Sequence, residues 1–161
     1  ISKIKAYAKK SPGVPRIEPI KVDGKDYYLL IISPDQEYDL RVNDTNWAQA
    51  QREANIRGND NPIFAGGAGI WDDVIIHSHP DIAVATNWGS GANVAGASAM
   101  FLGKNALTLG LGAAPKWEEE TRNYGNKKGI AIWAQYGVKK NKFNALDYSA
   151  ISLKTARTNI T

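Results

Sequence analysis

His77 and His79 are the two histidines of the chain, one residue apart and followed by Pro80. Residues i and i+2 of a β-strand project from the same face, so both imidazoles could meet one zinc ion. A catalytic zinc needs three protein ligands and an open position, where a bound water loses its proton readily enough to act as a nucleophile. Asp81 is near in sequence, but a carboxylate two residues beyond His79 and across a proline has no assurance of converging on the same ion. A Ser-His-Asp triad would have to use one of the same two histidines. The nearest approach to a nucleophile elbow, Gly96-Ala97-Ser98-Ala99-Met100, has Met where its final Gly belongs. The glycine clusters Gly66-Gly67-Ala68-Gly69, Trp88-Gly89-Ser90-Gly91 and Gly110-Leu111-Gly112 contain neither Gly-Lys-Ser/Thr nor Gly-x-Gly-x-x-Gly, so flexible or tightly turned loops are expected there. Consecutive acids seldom face one point, and Glu118-Glu119-Glu120 is expected to be solvated. With no cysteine in the chain, disulfides, thiolate catalysis and Cys-type zinc sites are excluded.

The run His77-Ser78-His79-Pro80 resembles the zinc motif of the JAMM metallopeptidases, written His-x-His-Pro, six residues, Ser, two residues, Asp. Counting along this chain places Asn87 at the Ser position and Ser90 at the Asp position. The third ligand is missing, and a structural or surface role for His77 and His79 is the expectation. A zinc peptidase built on them is the alternative reading.

Local structure is written most clearly between Arg16 and Pro34. Asp23-Gly24 is a pair that tolerates the positive φ angles of a type I′ hairpin turn. Tyr27 to Ile32 is a continuous apolar run, suited to a strand covered on both faces. Ser33 reads as an N-cap, with Pro34 at the first helical position and Gln36 as the partner in a capping box. Ile1, Ile4 and Ala8 share a helical face while Lys3, Lys5, Lys9 and Lys10 are expected in solvent, as in the tail of a longer helix. A second helix is expected over 47–57, and long loops over Asn59 to Gly69 and Pro80 to Ala92. Val74 to Ile76 reads as a short buried strand, and Met100-Phe101-Leu102 is assigned to a strand as well. Ile130 to Val138 and Tyr148 to Leu153 bracket a turn around Asn141 to Asp147 and read as antiparallel sheet. Of the five tryptophans, most are expected in the core; Trp88, in a glycine loop, is the one expected at a subunit contact.

The 161 residues suffice for one domain with a core, at 43% hydrophobic content. No apolar run approaches the roughly 18 residues of a membrane span. The chain begins at Ile1 without a signal-like apolar core and reads as a fragment. Its charge of +4 is dispersed over Lys9-Lys10, Lys127-Lys128 and Lys139-Lys140 with Lys142, a solvated basic surface rather than a nucleic-acid groove.

Four blocks carry a second resemblance: Arg16-Ile17-Glu18-Pro19-Ile20 with Tyr27-Tyr28 and Tyr38-Asp39-Leu40-Arg41; Trp88 through Gly96; Trp117 through Thr121 with Tyr124-Gly125-Asn126; and Gly137-Val138-Lys139-Lys140 with Lys142-Phe143-Asn144. In order and spacing they are similar to the major capsid proteins of tailed bacteriophages, in the branch of podoviruses with large virion RNA polymerases and related prophages. The resemblance implies an α+β chain with the tailed-phage major capsid (Johnson) fold. Residues 1–12 would end a spine helix, 13–25 form a peripheral hairpin strand, 26–116 the axial domain, and 117–161 strands returning to the peripheral antiparallel sheet. It further implies a non-enzymatic virion protein, assembled in the bacterial cytoplasm. The subunit would form homo-oligomeric capsomers, pentameric and hexameric, of an icosahedral shell around double-stranded DNA. Non-specific contact with that DNA is the one further partner; no catalytic or metal residue, cofactor, small-molecule substrate or membrane is implied. Relatives carry an arm, an extended loop and the rest of the spine helix before the point where this chain starts.

Overall fold

The computed structural model describes residues 1–10, 15–43 and 68–158, and these fall into two compact units, Ile1–Ala106 with the segment from Lys142 onward, and Leu107–Asn141. The expected helix over 47–57 and most of the loop from Asn59 lie outside the described residues.

The first unit is organised by a mixed sheet. Strand β1 (Ile20–Val22) turns into β2 (Lys25–Ile32), helix α2 (Pro34–Asn43) follows, and β3 (Gly69–Trp71) turns into β4 (Val74–Ser78). Then come β5 (Val84–Trp88) and β6 (Val94–Leu102), and, after the second unit, β11 (Ala150–Ala156). The strand order is β11-β6-β2-β4-β3, with β1 added to β2 and β5 to β6. β2 and β4 are parallel, which a tight turn cannot connect, and α2 lies in the crossover between them; the other pairings are antiparallel.

β2 sits at the centre and is apolar on both faces. Tyr28, Leu30 and Ile32 meet Val74, Ile76, Ala99 and Phe101 on one face, where Ile4 and Ala8 of helix α1 (Ser2–Lys10) also pack. Tyr28 stacks on Phe101 at 5.1 Å between ring centres and donates its hydroxyl proton to the Ile17 carbonyl at 3.2 Å. The opposite face gathers Tyr27, Ile75 and Val22, with Leu29 and Ile70 against them.

The hairpin turn has the expected form, with φ of 50° at Asp23 and 77° at Gly24. A Cβ at Gly24 meets no atom within 4 Å, so the cost of a side chain there is backbone strain. Gly24→Val should lower stability by about 1–3 kcal/mol in urea unfolding, and an unchanged midpoint would mean that β1 does not depend on this turn. The capping box forms in both directions: Ser33 N–H donates to Gln36 Oε1 at 3.0 Å and Gln36 N–H to Ser33 Oγ at 3.3 Å. Gln36 does more than the box requires. Its Nε2 donates to the Ala97 carbonyl at 3.3 Å and to Thr155 Oγ1 at 2.5 Å, tying α2 to β6 and β11. Asp35 pairs with the buried Arg157 guanidinium, and Asp39 accepts from Thr158 N–H at 2.7 Å, so one side of α2 holds the end of β11.

Three expectations change. Lys5 is not solvated: its ammonium donates to Asp72 Oδ1 at 2.8 Å, to the Asp72 carbonyl at 2.7 Å and to Asp73 Oδ2 at 2.9 Å, clasping α1 to the β3–β4 turn. The segment Pro80 to Ala92 is not one loop, because β5 runs through it and pairs with β6. Trp88 is therefore a strand residue, half-buried over Gly96, where any Cβ would come within 2.0 Å of its ring, and Lys154 Nζ lies 5.7 Å from the ring centre. Finally, β11 pairs with β6, so the strands on either side of Asn141 to Asp147 belong to different sheets. The intervening residues form a small hairpin of β9 (Lys142–Phe143) and β10 (Leu146–Asp147).

The Lys5 clasp has a pH signature. The hydrogen bond from Lys5 holds the Asp72 carboxyl below its ordinary value of 3.8. Burial works against the Lys5 charge, but the hydrogen bonds and fields of Asp72 and Asp73 outweigh it and raise Lys5 above 10.5. A depressed carboxylate stabilises the fold above its unfolded value and ceases to as pH falls; a raised lysine stabilises below its unfolded value and ceases to as pH rises. Stability should thus fall on acidification through and below 3.8 and on alkalinisation past 10.5. Urea midpoints of Lys5→Met should show less of both losses than the unsubstituted chain; equal losses in the two would discount the clasp.

Candidate functional site

Only one of the two histidines lies on a strand. β4 ends at Ser78, leaving His77 half-buried within the sheet beside Ile31. His79 lies beyond it, its backbone N–H donating to the Ile32 carbonyl at 2.9 Å. Its Nδ1 accepts the Asp81 backbone N–H at 3.2 Å, so that nitrogen is engaged within its own turn. Among the described residues, no group of three or more His, Cys, Asp or Glu side chains is placed to hold a metal ion. The geometry thus gives the peptidase reading no site. Zinc analysis after dialysis should find well under one equivalent per chain; one tightly held equivalent, lost in both His77→Ala and His79→Ala, would restore it.

The second unit has a surface that its own fold does not cover. β7 (Leu107–Arg122) and β8 (Lys127–Lys140) form a two-stranded antiparallel ribbon. Its register runs from Leu107 opposite Lys140 to Arg122 opposite Lys127. Two register shifts fall between Leu111 and Lys116, a stretch that includes Pro115, which has no N–H to give to a ladder. Both shifts insert their extra residue in β7, and two insertions restore the alternation, so the faces stay continuous. One face carries Leu107, Leu109, Leu111 and Trp117 from β7 with Val138, Tyr136, Ile132 and Ile130 from β8. The other carries Thr108, Lys116, Glu118, Glu120 and Arg122 with Lys139, Gln135, Trp133 and Lys127.

The polar face is satisfied locally. Lys116 Nζ meets Glu118 at 2.7 Å and lies 5.9 Å from the Trp133 ring centre, and Arg122 meets Glu120 at 2.6 Å. The apolar face is open: Leu111 is 74% exposed, Tyr136 71% and Ile132 69%. An isolated two-stranded ribbon is marginal in water, and a contiguous apolar patch marks a surface that something else covers. Trp117 and Trp133, expected in the core, stand instead on these exposed faces. The Gly110-Leu111-Gly112 cluster is not a loop but the interior of β7, with Gly110 paired to Gly137 across the ladder.

The described residues thus form a mixed sheet with its helices and an amphipathic ribbon whose apolar face is exposed. The chain belongs to the phage capsid protein family, whose model matches residues 1–158. It is 30% identical to the major capsid protein of Pseudomonas phage KPP25 over 167 aligned positions, covering 95% of this chain and 43% of that protein. The capsid of Ralstonia phage GP4 superposes with a TM-score of 0.76 at 30% identity, over 99% of this chain and 45% of that one. The cyanophage Pam1 capsid has the same fold, with a TM-score of 0.70 at 22% identity over 97% of this chain and 45% of its own. The chain therefore spans less than half the length of these relatives.

Proposed function

We propose that this chain is part of the major capsid subunit of a tailed bacteriophage, building pentameric and hexameric capsomers of an icosahedral shell around double-stranded DNA. The observation that carries the reading is the open apolar face of the β7–β8 ribbon, which assembly would bury against the remainder of the subunit and its neighbours. Family membership supports it. In this arrangement 1–12 end a spine helix, 13–25 give a peripheral strand, 26–116 form the axial domain and 117–161 return to the peripheral sheet, with the ribbon spanning the last junction. The protein acts in the virion after assembly in the bacterial cytoplasm. Contact with packaged DNA is non-specific and directed at phosphates, through the dispersed lysines.

Small interfaces contribute little once lost translational freedom is counted, so the chain alone should associate weakly. Sedimentation should show monomers or small rings at micromolar concentration, and large closed particles once the chain is extended to the length of its relatives. An extended protein that stays monomeric at all concentrations and salts would remove the proposal.

A further inference from the structure

The β7–β8 ribbon has two outer edges, and no third strand among the described residues joins either of them. Two strands are marginal in water, whereas a third with an apolar face gives a sheet that stands by itself. The two edges differ. Pro115 and both inserted residues lie in β7, and a proline and bulges are features that blunt an edge against further pairing. β8 has no proline and no inserted residue over its 14 positions, all of them exposed. Every second residue of an edge strand turns its N–H and C=O away from the partner it already has. From Gly129 to Val138 those groups belong to a run of ten uncharged residues rich in β-formers, the kind of edge that recruits a strand.

Charge indicates which strand. β8 carries Lys127 and Lys128 at one end, Lys139 and Lys140 at the other, and no acid. The acids of the ribbon are engaged on their own strand: Glu118 pairs with Lys116, Glu120 with Arg122, and Glu119 accepts the Trp117 indole N–H at 2.8 Å. Lys127, Lys128 and Lys139 form no ion pair among the described residues. Beside β8 of a second copy, in either direction, these ends would set lysine against lysine, which disfavours self-addition. Two lysine pairs separated by ten uncharged residues are also not the continuous basic stripe that a phosphate backbone follows. We infer that the outer edge of β8 is a strand-addition site for an extended peptide segment with apolar residues at alternate positions and carboxylates at both ends. Main-chain hydrogen bonds supply the affinity, the alternation continues the apolar face of Ile130, Ile132 and Tyr136, and the lysine pairs select the partner. The inference concerns this chain by itself and does not depend on the capsid reading.

Amide hydrogen exchange on this chain, read residue by residue, tests the site with synthetic peptides matched to β8 in length. They alternate valine and threonine; one ends in glutamates on both sides and its twin in lysines. In the chain alone, every second amide from Gly129 to Val138 should exchange slowly, bonded to β7, and those between should exchange fast. The glutamate peptide should slow the fast set and leave the outward amides of β7 fast. The lysine peptide should need at least about tenfold higher concentration for the same effect, a difference that exposed ion pairs at both ends can supply. A DNA duplex should leave exchange unchanged. Lys127→Glu with Lys139→Glu alters one lysine at each end, both exposed and on the polar face, so the ribbon keeps its fold and the variant should bind the two peptides about equally. Outward β8 amides that stay fast with either peptide, protection that ignores charge in the peptide or in the variant, or protection by the duplex would each overturn the site. The capsid reading, tested on the extended subunit, would stand in every one of these cases.

Discussion

Lysines placed together at Leu111 and Ile132 should abolish shell formation while leaving the first unit folded. Both positions lie on the apolar face of the ribbon and both are well exposed in the isolated chain, so the substitutions cost little before assembly. On burial they cost a great deal. An ammonium taken out of water without a partner loses several kcal/mol, and two of them in every subunit, multiplied over a shell, leave no closed particle. The polar face supplies the control: Gln135→Lys, opposite Ala113 on the other side of the ribbon, should reduce assembly by less than about tenfold, as expected of rim positions. Particle yield by sedimentation reads both. Normal shells from the double lysine variant would mean that the apolar face stays open in the particle.

Gly103→Ala should destabilise the first unit by about 2–4 kcal/mol. β6 ends at Leu102, and there the chain passes against two other segments. Gly103 N–H donates to the Ser149 carbonyl at 2.9 Å, and Lys104 N–H to the Glu18 carbonyl at 2.8 Å. Ser149 Oγ donates to the Lys104 carbonyl at 2.5 Å, so the junction is bonded on all sides. A Cβ at Gly103 would stand 2.3 Å from Ile17 Cγ2, 2.6 Å from the Glu18 carbonyl oxygen and 2.9 Å from Ser149 Oγ. A side chain end can move aside; the Glu18 carbonyl is fixed by the bond it accepts. Room for the methyl can come only from separating the 15–19 segment from the end of β6. Urea unfolding measures the loss, and a change below about 0.5 kcal/mol, the range of an ordinary surface substitution, would show that this junction opens freely.

The parts of the fold legible in the sequence are those whose cause is local. Asp23-Gly24 requires its turn, Ser33 and Gln36 are three residues apart and satisfy each other, and Tyr27 to Ile32 has no polar side to turn outward. The other role of Gln36, joining α2 to Ala97 and Thr155, was invisible because those partners lie 61 and 119 residues away. Lys5 was assigned to solvent by helical periodicity alone, which cannot see a turn 67 residues later. The first strand of the ribbon was missed for a different reason. Gly110 and Gly112 suggested a loop, yet they occupy the polar face of a strand whose other face alternates as Leu107, Leu109 and Leu111. The same period two runs through Ile130, Ile132, Tyr136 and Val138, which do read as a strand, and pairing the two alternations would have found β7 and the face it shares with β8. The histidines had the opposite fault: a conspicuous spacing without the third ligand, ending on a strand one residue too short to carry both.

Electron cryomicroscopy of the purified subunit, extended to the length of its relatives, tests the central claim most directly. The expected map contains closed shells in which Leu109, Leu111, Ile132 and Tyr136 are covered by protein from the same subunit or its neighbours. Dispersed single subunits, or shells in which that face of the ribbon lies open to solvent, would contradict it.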